Sequence, residues 1–507
     1  MPNQLGKIGH IVQVMLENRS LDHMLGYLYA ASGNVSLAGQ AFDGLTGKEW
    51  NPDDTGRQVD VYTIQATDPN PYLMPGADPG EGFLNTNYQL FSTDDPAAGA
   101  APGNMGFVTN FKSAIASDLA KHYSDTLPGT QPSQIMGMYT PELLPILSGL
   151  ARGYAVCDRW FASVPTLTIP NRAFAAAATS QGHLDDTPTK YTCPTIFGRL
   201  SDEGLDWAIY GYNSEPLTRQ TFPDTTAADD SHFGHFRDFQ QRAAAGTLPP
   251  YTFLEPSWDA TGNSQHPNYD VAKGEQFLHD IYVALRSNAA AWNSTLLIIT
   301  YDEHGGTYDH VAPPANATPP GDGTVGEYGF DFTRFGLRVP AVLVSPLIAA
   351  GTVFRGSGPI DHTSVLSTIA ERWGTEPLTN RDRNAASLGD VVTLATARTD
   401  DPLSGVLPPV SSVAHPNSSK PSKLDRIHAA LVAALPVRNQ QGHYPEDVPL
   451  PTFACASDLS DFIRDRTAAW KEHIRRRKQR RGEEGGSPAG RSPAPHATGR
   501  ERRARRR

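Results

Sequence analysis

The chain has 507 residues, of which 39% are hydrophobic and 19% charged. This composition allows a large globular body and excludes disorder throughout. The formal net charge is -11, but residues 471–507 contain fourteen Lys and Arg against four Glu, which leaves -21 on residues 1–470. Because an acidic body does not attract anionic ligands through its overall field, any activity on an anionic substrate requires a local cation.

Few features indicate a particular compartment or partner. Three cysteines exclude a disulfide framework, and no apolar run reaches the roughly twenty residues of a membrane span. Residues 8–16 indicate a core strand rather than a signal peptide, which predicts a cytoplasmic protein, or a secreted one if a leader is missing. The basic tail could contact nucleic acid or an anionic membrane, although a solvated tail is the favoured interpretation.

In chain order, the first predicted element is a β-rich apolar strand at residues 8–16. A short helix capped by Ser20 follows it. Residues 34–105 are rich in Gly, Pro, Asn and Asp and predict loops with little regular structure. The next predicted helices cover residues 139–151 and 172–180.

The second half of the chain contains the clearest buried strand, at residues 295–301, TLLIITY. A further strand is predicted at 339–345, and residues 361–373 have the cap and period of a helix. Strands alternating with helices predict an α/β fold with a mainly parallel central sheet, flanked by helices and carrying long loop insertions.

Composition divides the chain into four predicted parts. They are a catalytic domain at 1–400, a Pro/Ser-rich connector at 401–424, a small helical segment at 425–473 and a disordered basic tail at 474–507.

Acidic residues follow two of the predicted strands. The first strand leads into Glu17 and Asn18, and the second into Asp302 and Glu303. Ligands bind outside the carboxyl ends of parallel strands, so these four side chains are expected around one point. Their oxygen atoms suit one hard divalent cation, whose identity the sequence leaves open. The alternative is that each carboxylate caps the helix after it.

Residues 302–310, DEHGGTYDH, concentrate acids, histidines and glycines directly after a buried strand, which favours a site over a plain surface loop. Residues 165–172, PTLTIPNR, lead into an Ala-rich helix. A hydroxyl at that helix start is well placed to attack phosphorus, with the helix N-terminus stabilising the phosphoryl anion. Arg172 offers a forked contact to phosphate oxygens. An ordinary helix cap is the alternative.

Three further residues are candidates for chemistry. His266 and His362 are each a possible general acid for the leaving alcohol, although a structural role is commoner for an isolated histidine. Ser180 lies in ATSQG, which resembles a nucleophile elbow. Because a true elbow follows a β-strand and residues 173–178 favour a helix, a serine esterase ranks below a phosphoesterase.

Four motifs, in this order, resemble the phosphoesterase family that includes bacterial phospholipases C and an acid phosphatase branch. The motifs are ENRSLDH at 17–23, TIPNR at 168–172, TYDE at 300–303 with the GG and DH that follow, and DHTSV at 361–365. The resemblance spans about residues 8–390. It implies an alkaline-phosphatase-like α/β fold and hydrolysis of phosphate ester bonds.

By position, the resemblance makes Glu17, Asn18, Asp302 and Glu303 the metal ligands. It makes Thr168 the nucleophile, with Thr166 as the fallback because the local sequence is Thr-Leu-Thr. His266 corresponds to a family histidine that contacts the phosphate or protonates the leaving group. Asn171 and Arg172 complete the catalytic set.

The sequence departs from the family at Glu81, where many relatives have histidine in Asp-Pro-x-His. A carboxylate there repels a dianionic monoester and favours a less charged diester. A second family histidine aligns loosely with His232 or His235.

These observations predict a metal-dependent phosphodiesterase of the phospholipase C type, acting through a phospho-threonine intermediate. The alternatives are a phosphomonoesterase on the same site, a serine esterase using Ser180, and a non-catalytic binder of phosphate groups. The substrate is a phosphate ester, a phospholipid among the options. Loop regions 34–105 and 211–265 show no clear lipid-binding face.

Overall fold

The computed structural model describes residues 3–121, 124–189, 191–259, 261–411, 419–437 and 450–485. The strands are β1 His10–Leu16, β2 Trp50–Pro52, β3 Gln58–Asp60, β4 Tyr62–Thr63, β5 Gly137–Met138, β6 Ala155–Val156, β7 Trp207–Gly211, β8 Phe233–His235, β9 Tyr251–Glu255, β10 Thr295–Tyr301, β11 Ala341–Val344 and β12 Thr352–Val353. The helices are α1 Leu21–Leu25, α2 Phe83–Phe91, α3 Phe107–Leu119, α4 Pro145–Gly153, α5 Thr168–Ala177, α6 Ile196–Asp202, α7 Leu217–Thr221, α8 Pro223–Ala227, α9 Phe236–Ala245, α10 Val271–Arg286, α11 Ala289–Trp292, α12 Thr363–Trp373, α13 Asn380–Arg383, α14 Lys423–Ala433 and α15 Ala456–Gly485.

The central sheet of the described residues has eight strands, in the order β12-β6-β11-β10-β1-β9-β7-β8. All neighbouring pairs are parallel except β10–β11 and β11–β6. Helices α4, α5, α10 and α12 contribute buried faces to the same hydrophobic core as the sheet. The predicted α/β class with a mainly parallel sheet is confirmed. Within the described segments, no helix is long and apolar enough to cross a bilayer.

The strands that carry the acidic motifs were the most predictable elements. β10 has the predicted bounds, and β1 begins two residues later than predicted, at His10. The strand predicted at 339–345 is present as β11 but runs antiparallel to β10. The loop that joins β10 to β11 stays at the carboxyl edge of β10. The chain therefore enters β11 from that edge and runs in the opposite direction to β10.

Two predicted helices have different bounds. The helix predicted from residue 139 begins only at Pro145, because proline lacks an N–H and disfavours helical backbone in the residue before it. The helix predicted at 172–180 begins at Thr168 and ends at Ala177. Ala178 stops it by adopting a left-handed conformation, with φ of 58°.

The interpretation of residues 34–105 as irregular was incomplete. This region contains α2 and the short strands β2, β3 and β4. α2 is stabilised because Phe83 and Leu90 are buried in hydrophobic clusters on either side of it. The helix begins directly after Glu81 and Gly82, which brings this loop region to the site described below.

The C-terminal segment forms two helices, α14 and α15, that share a small apolar cluster including Val432, Leu459 and Trp470. α15 continues to Gly485, beyond the boundary predicted at residue 473. Arg476 pairs with Glu472 one turn earlier, which supports the continuation. The rest of the predicted basic tail, 486–507, lies outside the described residues.

Gly305 holds the loop after β10 against the residue that follows β1. Its φ is +63°, and a Cβ added there would lie 1.8 Å from the carbonyl oxygen of Asn18. A side chain of any size therefore cannot be accepted without moving Asn18.

We expect Gly305→Ala to displace Asn18 and to lower both the melting temperature and any hydrolytic activity. Gly33→Ala is the matched control, because Gly33 has φ of +66° and open space around it. The control carries only the backbone cost of about 1 kcal/mol. Equal melting temperatures for the two variants would contradict the proposed crowding at Gly305.

A buried ion network ties α1 to the loop after β10. Arg338 donates to Asp22 and Asp309 at 2.8 Å each, and His310 lies 2.6 Å from Asp22. The other ring nitrogen of His310 lies 3.4 Å from Asp43. Burial opposes the charged ring, but hydrogen bonds to the Asp22 and Asp43 carboxylates raise the pKa of His310 to about 10.

This raised pKa predicts a pH-dependent stability. Its contribution is fully present below the unfolded value of 6.5 and is lost as pH rises toward 10. We expect the stability difference between the wild type and His310→Gln to shrink by on the order of 1–3 kcal/mol across this range. Urea unfolding at several pH values measures it, and a constant difference would contradict the assignment.

Candidate active site

The site lies at the carboxyl ends of β1 and β10. The two strands pair in parallel, with Leu16 opposite Tyr301, so Glu17 and Asp302 leave the sheet side by side. The backbone N–H of Asp302 donates to the carbonyl of Leu16 at 3.3 Å. The prediction that these two acidic motifs meet is confirmed by this register.

Four buried carboxylates converge here: Glu17, Glu81, Asp302 and Glu303. Asp302 is well held, because its Oδ1 accepts from the backbone N–H groups of Asn18 and Glu303 at 3.1 and 2.8 Å. Glu303 Oε2 accepts from the N–H of Gly305 at 2.7 Å. Three other oxygens, both Oε atoms of Glu17 and Oε1 of Glu303, have no hydrogen-bond partner among the described residues.

The cluster carries more negative charge than its surroundings balance. Burial, with a smaller contribution from Asp302, raises the pKa of Glu17 well above its usual value. Burial raises the pKa of Glu303 as well, and the Glu81 and Asp302 carboxylates add to it. The pKa of Asp302 is raised by burial against the lowering effect of Arg172. Such groups favour a bound cation or a proton.

Asn18 connects the acids to the nucleophile candidate. Its backbone is left-handed, with φ of 58°, which turns the chain sharply after β1. Its Nδ2 donates to Glu81 Oε2 at 2.8 Å, and its Oδ1 accepts from the Thr168 hydroxyl at 3.4 Å. Asn18 therefore lies between Glu81 and Thr168, with its backbone on Asp302.

The turn before α5 distinguishes the two threonines. Thr168, the first residue of α5, points its hydroxyl at Asn18, whereas the Thr166 hydroxyl donates to the carbonyl of Leu184 at 2.5 Å. Asn171 is occupied by this turn, since its amide donates to the carbonyls of residues 164, 166 and 167 and its Oδ1 accepts from the N–H of residue 164. Asn171 thus shapes the loop that presents Thr168.

The N-terminus of α5 is less open to an anion than its sequence suggests. The N–H of Ile169 donates to Asp186 Oδ1 at 2.9 Å, and Pro170 has no N–H. Two of the first donors of the helix are therefore not available to a phosphoryl group. Charge neutralisation at this site must come from elsewhere.

Arg172 neutralises part of the charge of the acidic cluster and does not offer a free guanidinium to the substrate. Its Nε donates to Asp302 Oδ2 at 2.9 Å, and its Nη2 donates to the carbonyls of Met15 and Leu16. The guanidinium lies 4.6 Å from the centre of the Trp258 ring. Among the described residues, only Nη1 of this guanidinium has no hydrogen-bond partner. A bidentate contact with phosphate is therefore not available to Arg172.

His266 borders the same cluster. Its Nδ1 donates to the carbonyl of Pro267 at 3.0 Å, because a carbonyl can only accept. Its buried Nε2 faces Asp78 at 3.8 Å and has no hydrogen-bond partner in the described part of the chain. Asp78, Glu81 and His266 place ligand atoms within 4.8 Å of one another.

Two other histidines hold the framework. His362 Nε2 donates to the carbonyl of Asp302 at 2.6 Å, and its Nδ1 accepts from Trp160 at 3.3 Å. Burial lowers the pKa of His362 to about 4, so the ring stays neutral. His304 contacts Gln89, and burial lowers its pKa to about 3. With both ring nitrogens occupied, His362 is not placed to act as a general acid.

The remaining candidates lie away from the site. His232 stacks on Trp207 with ring centres 4.1 Å apart, and His235 ends β8 at the far edge of the sheet. Ser180 follows a helix rather than a strand, and its hydroxyl donates to the carbonyl of His183 at 2.7 Å. Ser180 therefore lacks the geometry of a nucleophile elbow.

A cleft of about 920 Å³ opens onto the cluster. Glu81 and Leu167 line its inner part, and Arg426 of α14 lies on its wall. Leu167 immediately precedes Thr168, so the cleft lies next to the nucleophile candidate.

Sequence reasoning missed two contributors. It treated Glu81 only as a departure facing the substrate, although Glu81 bonds Asn18 and belongs to the acidic cluster. It did not single out Trp258, whose ring lies against Arg172. The Asp-Pro motif before Glu81 was a usable signal, whereas nothing in the sequence around Trp258 indicates its contact.

Comparisons with known proteins identify the family of the chain. The model of the Phosphoesterase family matches residues 8–376. Non-specific phospholipase C6 of Arabidopsis thaliana is 34% identical over 461 residues, covering 86% of this chain and 82% of that protein. Phospholipase C A of Mycobacterium tuberculosis is 28% identical over 418 residues, covering 74% of each.

Among solved structures, a protein in the alkaline phosphatase superfamily from Vibrio parahaemolyticus overlaps with a TM-score of 0.29 and 14% identity, covering 48% of this chain and 64% of that one. An overlap of this extent adds nothing to the assignment, which depends on the family model and the sequence relatives. On those grounds the chain belongs to the Phosphoesterase family, and its class is that of the phosphoric ester hydrolases.

Proposed function

We propose that the chain cleaves phosphodiesters in the manner of a phospholipase C, with a divalent cation and with Thr168 as the nucleophile. The observation that supports this most directly is the placement of the Thr168 hydroxyl, 3.4 Å from Asn18 Oδ1, beside a buried acidic cluster. The relatives named non-specific phospholipase C and phospholipase C support the substrate class.

The donor set fits a hard cation. Carboxylate and amide oxygens are the ligands that such ions prefer, and three buried carboxylate oxygens of Glu17 and Glu303 have no hydrogen-bond partner among the described residues. Glu17, Asn18, Asp302 and Glu303 would hold the ion, with Glu81 next to them. When bound, the ion neutralises the phosphate and lowers the pKa of the Thr168 hydroxyl.

The side chains of this protein then perform a two-step transfer. Thr168 loses its hydroxyl proton to solvent before the first step. Its alkoxide Oγ1 then forms a bond to phosphorus while the bond to the leaving alcohol breaks, and His266 Nε2 gives that alcohol its proton. Water next attacks the phospho-threonine, gives one proton to His266, and releases a phosphomonoester and the Thr168 alkoxide. A phospholipid would yield diacylglycerol and a phosphorylated head group.

Three positioning residues hold the groups that would react or bind the cation. Asn171 fixes the turn that presents Thr168, His362 holds the carbonyl of Asp302, and Arg172 aligns the Asp302 carboxylate. Each fixes a reacting or binding group within a buried site, where small displacements cost large factors in rate.

The first test is turnover of a chromogenic phosphocholine diester by the wild type, Thr168→Ala and Asp302→Asn, before and after chelation. We expect chelation to abolish activity and metal add-back to restore it. Both variants should lose about 10³-fold or more, because one lacks the nucleophile and the other a ligand. Elemental analysis should find less bound metal in Asp302→Asn than in Thr168→Ala.

Thr166→Ala is the matched control for the nucleophile. It removes a hydroxyl bonded to Leu184, which costs about 1 kcal/mol of stability, and turnover should be retained. Undiminished turnover in chelator and in both site variants would overturn the metal and threonine mechanism.

Glu81 provides a test of diester over monoester preference. Its carboxylate lies in the cluster and opposes a dianionic monoester more than a monoanionic diester. We expect Glu81→Gln and Glu81→His to raise the ratio of monoester to diester kcat/KM, by roughly tenfold if one charge is removed. An unchanged ratio in both variants would show that Glu81 does not set the preference.

A further inference from the structure

A chain of apolar contacts links the cleft to a nearby loop. Leu167 lines the cleft, and its side chain lies close to Gly82, the residue before Phe83. The Phe83 ring stacks on Tyr328, with ring centres 5.5 Å apart and planes at 7°. These contacts place the loop at residues 325–330 close to the cleft.

This loop, which we call the rim loop, is a fixed turn with an apolar tip. The N–H of Glu327 donates to the carbonyl of Gly182 at 2.9 Å, and Glu327 Oε2 accepts from the N–H of Leu184 at 2.9 Å. Leu184 in turn accepts from Thr166 in the turn before α5. The rim loop is thereby bonded to the segment that also anchors the nucleophile turn.

The tip faces solvent although its base is buried. Val325 is 81% exposed and Tyr328 67%, while Phe330 packs with Phe83 in a buried aromatic cluster. Leu84, next in the chain to Phe83, is 40% exposed. Burying apolar side chains of this kind against another surface is energetically favourable. A single exposed apolar residue needs no explanation, but a group of them beside a cleft indicates a binding surface.

The charge around the tip distinguishes between anionic and zwitterionic surfaces as its partner. Residues 311–334 contain three acids, Asp322, Glu327 and Asp331, against one cation, Arg334, which lies over the Phe83 and Phe330 rings at the base of the loop. An acidic rim disfavours anionic lipid surfaces, which attract basic segments. Tyrosine, with an apolar ring and a polar tip, is enriched at membrane–water interfaces.

We propose that Val325 and Tyr328 of the rim loop dock the enzyme onto the surface of a zwitterionic phospholipid bilayer, which delivers a lipid diester into the cleft beside Leu167. This inference rests on the proposed function, since it names the physical form in which the substrate is met. Phe83 and Leu167 link the docking surface to the cleft, so a bilayer held at the rim loop would lie close to the cleft beside Thr168.

The test separates docking from chemistry. Flotation with phosphatidylcholine vesicles measures binding in a Thr168→Ala background, so that the vesicles stay intact. Turnover of the same vesicles and of a water-soluble phosphocholine diester is measured with Thr168 present. The variants are Val325→Ser with Tyr328→Asn, because asparagine tolerates the positive φ of 55° at position 328.

Leu37→Ser is the matched control. Leu37 is 79% exposed and lies against Gly351, which precedes β12 at the amino end of the sheet, opposite the site. We expect the rim-loop variant to lose about tenfold in vesicle binding and turnover while its soluble diester turnover stays at the wild-type level. The Leu37 variant should match the wild type in all three measurements.

Each outcome separates the two proposals. Vesicle binding by the rim-loop variant equal to that of the wild type overturns the docking proposal. Stronger wild-type binding to phosphatidylglycerol than to phosphatidylcholine vesicles overturns its zwitterionic partner. Soluble turnover without any binding to phosphatidylcholine vesicles overturns docking and leaves the phosphodiesterase intact. Binding lost only in the rim-loop variant, with no turnover of any diester, supports docking and overturns the proposed function.

Discussion

The structure depends on gathering negative charge in a place from which water is largely excluded. Four carboxylates are buried together, those of Glu17, Glu81, Asp302 and Glu303. The positive charge among them is that of Arg172, which is hydrogen-bonded to Asp302. Each uncompensated buried ion costs several kcal/mol. The surrounding core must supply that energy, and the parallel pairing of β1 with β10 is what brings Glu17 next to Asp302 and Glu303.

Most residues around the cluster serve its geometry rather than its chemistry. Gly305 allows the loop after β10 to pass against the carbonyl of Asn18, and His362 fixes the carbonyl of Asp302. The side-chain amide of Asn171 donates hydrogen bonds within the turn before α5. With the first N–H groups of α5 partly occupied or missing, the site has little positive charge of its own to offer a phosphate. The proposed cation would resolve both the excess charge and this shortage.

The sequence predicted the parts of the site that follow directly from strands. Strand β10 was predicted with its observed bounds, and a rule about the carboxyl ends of strands was enough to bring Glu17 and Asp302 together. Residues that arrive from loops were harder, because no periodic pattern fixes their direction. Glu81 and Trp258 join the site through tertiary packing. The sequence also does not indicate that the guanidinium of Arg172 donates its hydrogen bonds to Asp302 and to two strand carbonyls.

The charge distribution links the site to its proposed substrate. A body with a charge of -21 before residue 471 repels anionic ligands at long range, so approach must rely on short-range contacts and a neutral partner. The acidic rim around Tyr328 and the carboxylate of Glu81 beside Thr168 act in the same direction at short range. A zwitterionic diester has no net charge for this field to repel, whereas a dianionic monoester meets repulsion at the rim and again at the acidic cluster. If a cation is bound at the cluster, selection by charge therefore begins before the substrate reaches it.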